Sequence, residues 1–334
     1  MSQASEDVML RIHFTPHDLQ SIRILRRPDP LWELVCSMCR LKTGQGPLEF
    51  GQWRRSARSR ISGEPALREA LQPLRSLIPS VGYIPDFLTP PVSGTELTAG
   101  LDEVRATPRR RVVRDLTRLG GTRSLPAWTT GLGRPGDGGL AALTRALGVY
   151  FRTLVEPHWS QVRAMVGDDL DRRTQTLLDG GTSALLNGLH PYARWRSPVL
   201  EVDYPVDRDL RLEGRGLLLV PSYFCWGRPT ALADPELTPV LVYPVSKTPL
   251  DVSRRTGESL VRLLGRTRAA VLADVAEREG RTTSEVAEAV GLSLPSVSHQ
   301  LGVLREGGLV DSRRAGKYVL HSATPLGLRL LDAG

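Results

Sequence analysis

The residues with the clearest chemistry lie near the C-terminus, in a short segment that follows Ser293. Its hydrogen-bonding side chains include Ser296, His299 and Gln300. At about 100° per residue of helix, Ser296 and His299 share an outer face and Gln300 lies on its flank. Hydroxyl, imidazole and amide groups on such a face suit hydrogen bonds to base edges in the major groove of DNA. A solvated face on an ordinary helical hairpin is the alternative interpretation.

The element that must position these side chains is a helix with one buried side. Val297, Leu301 and Leu304 recur at i, i+4 and i+7, which predicts an apolar stripe facing a core. Before it, Thr283 is predicted to cap another helix, and Gly291 is predicted to end that helix in a left-handed conformation. Two helices joined by a tight glycine turn are typical of a helix-turn-helix.

The chain that follows predicts a β-hairpin. Val310, Tyr318 and Leu320 are the strand residues, and Ala315-Gly316 is the predicted turn. The turn is flanked by three cations, Arg313, Arg314 and Lys317. A cationic hairpin tip beside a recognition-type helix can neutralise DNA phosphates.

The segment from about Glu258 to Leu330 resembles the ArsR-type winged helix-turn-helix of bacterial transcription regulators, most clearly over residues 296–310. The resemblance implies DNA binding, usually as a dimer on a palindromic operator, with the helix in the major groove and the wing beside it. Metal-sensing members carry a cysteine pair in the first helix of the motif, or Asp and His ligands in the last helix. Here the first helix has neither Cys nor His, and Leu326–Leu331 offers no ligand. Metal sensing through those sites is therefore not predicted.

These observations predict a cytoplasmic, homodimeric DNA-binding regulator that acts as a repressor on double-stranded operator DNA. Activation stays open as an alternative, and the N-terminal region is a candidate for dimerisation or for sensing a small-molecule effector. No catalytic residue, metal or cofactor is predicted. The predicted base-reading residues are Ser296, His299 and Gln300, and the predicted DNA-backbone contacts are Thr283, Ser298, Arg313, Arg314 and Lys317.

Composition agrees with a two-domain protein in a reducing compartment. The 334 residues are enough for two cores, predicted as residues 1–250 and 255–330. No run of 18 apolar residues occurs and the first ten residues are largely polar, so neither a membrane span nor a signal peptide is expected. Three cysteines argue against a disulfide framework. The net charge of +8 favours nucleic acid as a partner, although the shortage of lysine relative to arginine indicates codon bias.

Hydrophobic periodicity predicts an α+β fold: a mainly helical N-terminal domain with a small sheet, followed by the C-terminal winged helix-turn-helix. Apolar stripes predict helices in residues 31–41 and 140–166, and a pair broken at Pro108. From Val199 the period changes to that of strands. The predicted strands are residues 10–14, 199–204, 208–212, 216–222 and 239–244. This domain is similar to the region that precedes ArsR-like domains in actinobacterial regulators, a resemblance that implies no particular role.

Other functions have weaker support. An enzyme or small-ligand-binding module in residues 1–250, with an accessory DNA-binding domain, is the main alternative. Against an enzyme, the sequence has no triad spacing, no metal-ligand cluster and no phosphate-binding loop. Cys36 and Cys39 have C-x-x-C spacing, which fits either core thiols or a redox or metal site. The basic helix at residues 53–61 fits a solvated face or a secondary DNA contact. A winged helix used for protein pairing is a third reading, which the basic hairpin tip disfavours.

Overall fold

The computed structural model describes residues 8–91, 96–132, 138–245, 256–277, 280–316 and 318–333. The chain divides into two compact units. The N-terminal unit comprises residues 1–39 and 64–247, and the C-terminal unit comprises residues 40–63 and 248–334. A mainly helical unit with small sheets is thus followed by a helical unit with a hairpin, which confirms the predicted fold class.

Helices are the predominant secondary structure of the N-terminal unit, together with 3₁₀ turns at Asp86–Leu88, Ala127–Gly131 and Glu156–His158. The helices are α1 Pro16–Gln20, α2 Pro30–Lys42, α4 Pro65–Ala70, α5 Gln72–Leu77, α6 Leu97–Arg105, α7 Arg109–Gly120, α8 Gly139–Tyr150 and α9 Trp159–Asn187, while α3, Pro47–Gly63, belongs to the C-terminal unit. As predicted, the pair α6 and α7 is broken at Pro108, which stands at the N-cap of α7. Proline fits there because the first residues of a helix need no N–H partner within the helix.

The strands of this unit form two four-stranded sheets, whereas the sequence predicted one small sheet. The first sheet has the order β3-β4-β1-β5 and the second β2-β6-β8-β7. Their bounds are β1 Met9–His13, β2 Ile22–Ile24, β3 Ala193–Arg196, β4 Val199–Asp203, β5 Arg208–Arg211, β6 Leu217–Ser222, β7 Thr230–Ala231 and β8 Val240–Pro244. β2, β6 and β8 are parallel, and β6 and β8 are almost wholly buried, which explains their continuous apolar sequences.

A buried carboxylate ties α2 to the end of β6. Glu33 accepts hydrogen bonds from the backbone N–H groups of Tyr223, at 2.6 Å, and Phe224, at 2.9 Å. The hydroxyl of Ser222 donates to the same carboxylate at 3.1 Å. Three donors satisfy a charge that burial alone would strongly disfavour. Tyr223 and Phe224 are both fully buried and belong to the core.

Residues 40–63 group with the C-terminal unit, a feature that the predicted division at residue 250 does not contain. In α3, Phe50, Trp53 and Ala57 are buried at helical spacing, and the helix packs against α11, Arg266–Glu277. Arg54 is also fully buried, and its guanidinium donates to the carbonyl oxygens of residues 40 and 45 at 2.8 and 2.5 Å. The basic helix predicted here is therefore one that buries an arginine as well as apolar side chains.

The rest of the C-terminal unit is a small helical core with a three-stranded sheet of order β10-β11-β9. Its elements are α10 Thr256–Leu264, α11, β9 Arg281–Thr282, α12 Thr283–Val290, α13 Leu294–Glu306, β10 Val310–Ala315, β11 Tyr318–Ala323 and α14 Pro325–Ala333. Val271, Leu272 and Val275 of α11 pack with Leu301 and Leu304. Leu263 of α10 lies outside this core, because 68% of that residue is exposed.

Candidate nucleic-acid interface

The turn between α12 and α13 contains three residues and begins with glycine. Gly291 ends α12 with φ 69°, as predicted for a left-handed cap. The cap at the other end of α12 is Thr282 and not Thr283: Thr282 and Glu285 form a reciprocal capping box. Ser293 takes the N-cap position of α13 without a side-chain cap bond. These ends fix the angle at which α13 leaves α12.

The recognition face, defined here as Ser296, Ser298, His299 and Gln300, lies on the side of α13 away from the core. Ser298 and His299 are exposed, and Ser296 and Gln300 are half-buried. Their counterparts Val297, Leu301 and Leu304 are buried, as the sequence predicted. The first two turns of α13 therefore present hydroxyl, imidazole and amide groups on a helix whose back is held by a packed core.

Arg268 of α11 positions one of these side chains. Its Nε–H donates to Oε1 of Gln300 at 3.0 Å, and the arginine itself is half-buried. The bond orients the amide plane, and no hydrogen bond joins the amide nitrogen of Gln300 to the described part of the chain. The two N–H donors of the Gln300 amide are therefore available to another partner. Sequence reasoning missed Arg268, because the two residues are 32 positions apart and no local pattern links them.

The predicted hairpin is present. Ala315, predicted as the first turn residue, instead pairs with Tyr318 across the two strands, and Gly316 follows it with φ 61°. Arg313 and Arg314 are both exposed. Neither has a carboxylate within ion-pair distance among the described residues. Lys317, the third predicted cation, lies outside the described residues.

His321 connects the hairpin to α12. Its two ring nitrogens share hydrogen bonds with the hydroxyls of Ser312, at 2.8 Å, and Thr283, at 3.0 Å. Burial, and secondarily the charge of Arg305, lowers the pKa of His321 below its ordinary value. Thr283, predicted as a DNA-backbone contact, therefore also holds the hairpin against the first helix of the motif. No local sequence pattern indicated this role for His321.

A buried ion pair lies behind the motif. Arg281 of β9 and Asp274 of α11 approach to 3.2 Å, and Arg281 also donates to the carbonyl oxygen of Glu285 at 2.8 Å. Their side chains are 10% and 2% exposed. The pair joins α11, β9 and the first turn of α12, and so contributes to the frame that carries the recognition face.

The cysteines and possible metal ligands show no metal-binding cluster or disulfide among the described residues. Over the described residues, no group of three or more His, Cys, Asp and Glu side chains is arranged to hold a metal ion. Cys36, Cys39 and Cys225 are buried and form no disulfide bond. The pKa of Cys36 is raised well above its ordinary value because its thiol shares a hydrogen bond with Cys225 and is buried. Such a thiol is a poor nucleophile at neutral pH. Among the described helices none is long and apolar enough to cross a bilayer.

Comparison with known proteins agrees with this geometry. Residues 263–313 match the family described as a helix-turn-helix domain. The match runs from the end of α10 through α13 into β10, and so contains the recognition face, Arg268 and the buried ion pair. No curated protein and no solved structure gives a significant match. The C-terminal unit therefore contains a helix-turn-helix domain of the kind that DNA-binding regulators use.

Proposed function

We propose that the protein is a sequence-specific DNA-binding transcription regulator, in which α13 enters the major groove. The observation that carries the proposal is the recognition face on a helix-turn-helix domain whose opposite side is packed. The proposed base-reading residues are Ser296, His299 and Gln300. The proposed contacts to the DNA backbone from the helices are Ser298 and Thr283. Polar side chains on the first turns of such a helix are those that reach base edges.

The β10–β11 hairpin acts in this proposal as a wing, as in the ArsR-type domain that the segment resembles. Successive residues of a strand point to opposite faces, so Arg313 and Arg314 flank the hairpin on both sides. A hairpin that lies along a groove can therefore offer one arginine to each phosphate backbone. Lys317, next to Gly316 in the sequence, adds a third positive charge. These contacts hold the register of the protein on DNA and carry no sequence information.

The regulator acts as a homodimer through α10 and α14. These two helices pack against each other and leave leucines exposed: Leu263 is 68% exposed, Leu326 49% and Leu328 43%. Apolar side chains left exposed on these two helices favour burial against a second copy. A twofold dimer presents two recognition helices to two half-sites of one duplex. Sedimentation of the purified chain should give twice the monomer mass, and a single monomeric species would contradict the dimer.

Repression by occupancy is the proposed mode of action, since a dimer seated on a promoter excludes polymerase. The proposed role is binding without catalysis, and the proposed location is the cytoplasm. The test is a gel shift with the promoter DNA upstream of the protein's own gene, followed by transcription in vitro from that promoter. Saturable binding that salt weakens, together with reduced transcript, is expected. Increased transcript would make the protein an activator, and binding indifferent to sequence would contradict a specific regulator.

A further inference from the structure

A cavity of about 690 Å³ lies in the N-terminal unit, and residues at the junction between α8 and α9 form part of its wall. Its volume is within the range of about 300–1,000 Å³ that small-molecule sites occupy. Its charged lining includes four arginines, Arg26, Arg27, Arg152 and Arg163. All four are exposed, and none has an ion-pair partner among the residues that the structure describes. Like charges converging on a concave surface repel one another unless an anion neutralises them.

The apolar lining indicates the other half of a ligand. Phe151 and Trp159 meet edge to face in the wall, with ring centroids 5.1 Å apart. Half-buried Leu97 extends this apolar surface, and fully buried Val166 packs behind it. An aromatic wall beside guanidinium groups suits a molecule with a flat apolar body and an anionic head.

The backbone around the cavity departs from regular helix. Residues Phe151–Val155 form a π-helical turn, followed directly by the 3₁₀ turn Glu156–His158. Pro157 has no N–H for the helix ladder, which explains why the helix breaks here. The break places Arg152 and Glu156 on the cavity wall. Single π-helical turns occur frequently at functional sites.

We propose that this cavity binds a small organic dianion with a flat apolar body, its head group being a phosphate monoester or a dicarboxylate. Two glutamates, Glu96 and Glu156, also line the cavity, so its net charge is +2 against the four arginines. A dianion neutralises the charge of +2, whereas a monoanion leaves one positive charge without a counterion. Guanidinium groups bind both head groups through charge-assisted hydrogen bonds. The proposal concerns the N-terminal unit alone and does not depend on DNA binding.

The test is calorimetric titration of the full chain with 1-naphthyl phosphate and with 2,3-naphthalenedicarboxylate, which distinguish the two head groups. Saturable binding of at least one probe, with one site per chain, is expected. Inorganic phosphate and 1-naphthol each carry half of the recognised chemistry, and both should bind at least about ten-fold more weakly. The double variant Arg152→Gln, Arg163→Gln should lose about ten-fold or more in affinity, since each charge-assisted bond is worth at least that factor.

Arg145→Gln supplies the matched control, because Arg145 is an exposed arginine of α8 that does not line the cavity. Its affinity should stay within about two-fold of the unchanged chain, and thermal unfolding of every variant checks that the fold is intact. The proposal is overturned if neither probe binds saturably. It is equally overturned if the double variant binds as tightly as the unchanged chain, or if the control loses as much affinity as the double variant.

Discussion

Replacing Arg313 and Arg314 together with alanine should weaken DNA binding and reduce its dependence on salt. Both side chains are exposed on β10 and have no ion-pair partner among the described residues, so their removal breaks no salt bridge there. Each phosphate contact contributes about 0.9 to the slope of log K against log salt. Losing two contacts per protomer should reduce that slope by about 1.8. Between 50 and 200 mM salt, the unchanged protein should therefore lose about ten-fold more affinity per protomer than the variant.

Fluorescence anisotropy with a labelled duplex, repeated across that salt range, measures both slopes. The control removes the same two charges from the N-terminal unit, with Arg145→Ala and Arg194→Ala, both exposed residues. Its slope should match that of the unchanged chain, because a change of net charge alone removes no phosphate contact. Equal slopes for the hairpin variant and the unchanged chain would refute the assignment of the hairpin as a phosphate-binding wing.

Four further predictions concern the C-terminal unit. His299→Ala should cost about 1–3 kcal/mol on a preferred site and much less on random DNA, by anisotropy; equal losses on both would contradict base reading. In a double-mutant cycle of DNA affinity, the losses caused by Arg268→Ala and Gln300→Ala should be non-additive, because the two side chains share a hydrogen bond. Additive losses would show that Arg268 does not act through Gln300. Asp274→Ala should destabilise the C-terminal unit by about 3–5 kcal/mol in urea unfolding, because it leaves its buried arginine partner uncompensated; a loss below about 1 kcal/mol would count against that reading. The folded state lowers the pKa of His321 below its ordinary 6.5, so the unfolded chain binds more protons and the free energy of unfolding should fall as pH drops below about 6.5. Urea unfolding of His321→Gln should show a smaller fall over the same pH range. The same pH profile for the variant and the unchanged chain would contradict this role of His321.

The recognition helix was predictable because its pattern is local. The burial of Val297, Leu301 and Leu304, the left-handed Gly291 and the hairpin after the helix all follow from spacing within about 30 residues. Leu263 shows the limit of that reasoning. Its apolar side chain suits a core, yet periodicity alone does not say whether a face packs inside the unit or stays exposed.

Features that depend on distant parts of the chain could not be predicted. The docking of α3 on α11 joins segments more than 200 residues apart, and a basic, weakly periodic helix gave no indication of it. The division of the strands into two sheets likewise depends on pairings such as β1 with β4 and β5. The hydrogen bond from Arg268 to Gln300 exists only once α11 and α13 have packed. Local patterns identified the recognition face, and only tertiary packing shows how it is held.

The most direct test of the central claim is selection from a random pool of duplex DNA by the full chain, followed by affinity measurements on the selected sequence and a scrambled one. If α13 reads bases through its outward face, one motif should be enriched. The selected duplex should then bind about a thousand-fold or more tightly than the scrambled duplex at physiological salt. A pool that stays random, with equal affinities for both duplexes, would contradict the claim that this helix recognises sequence.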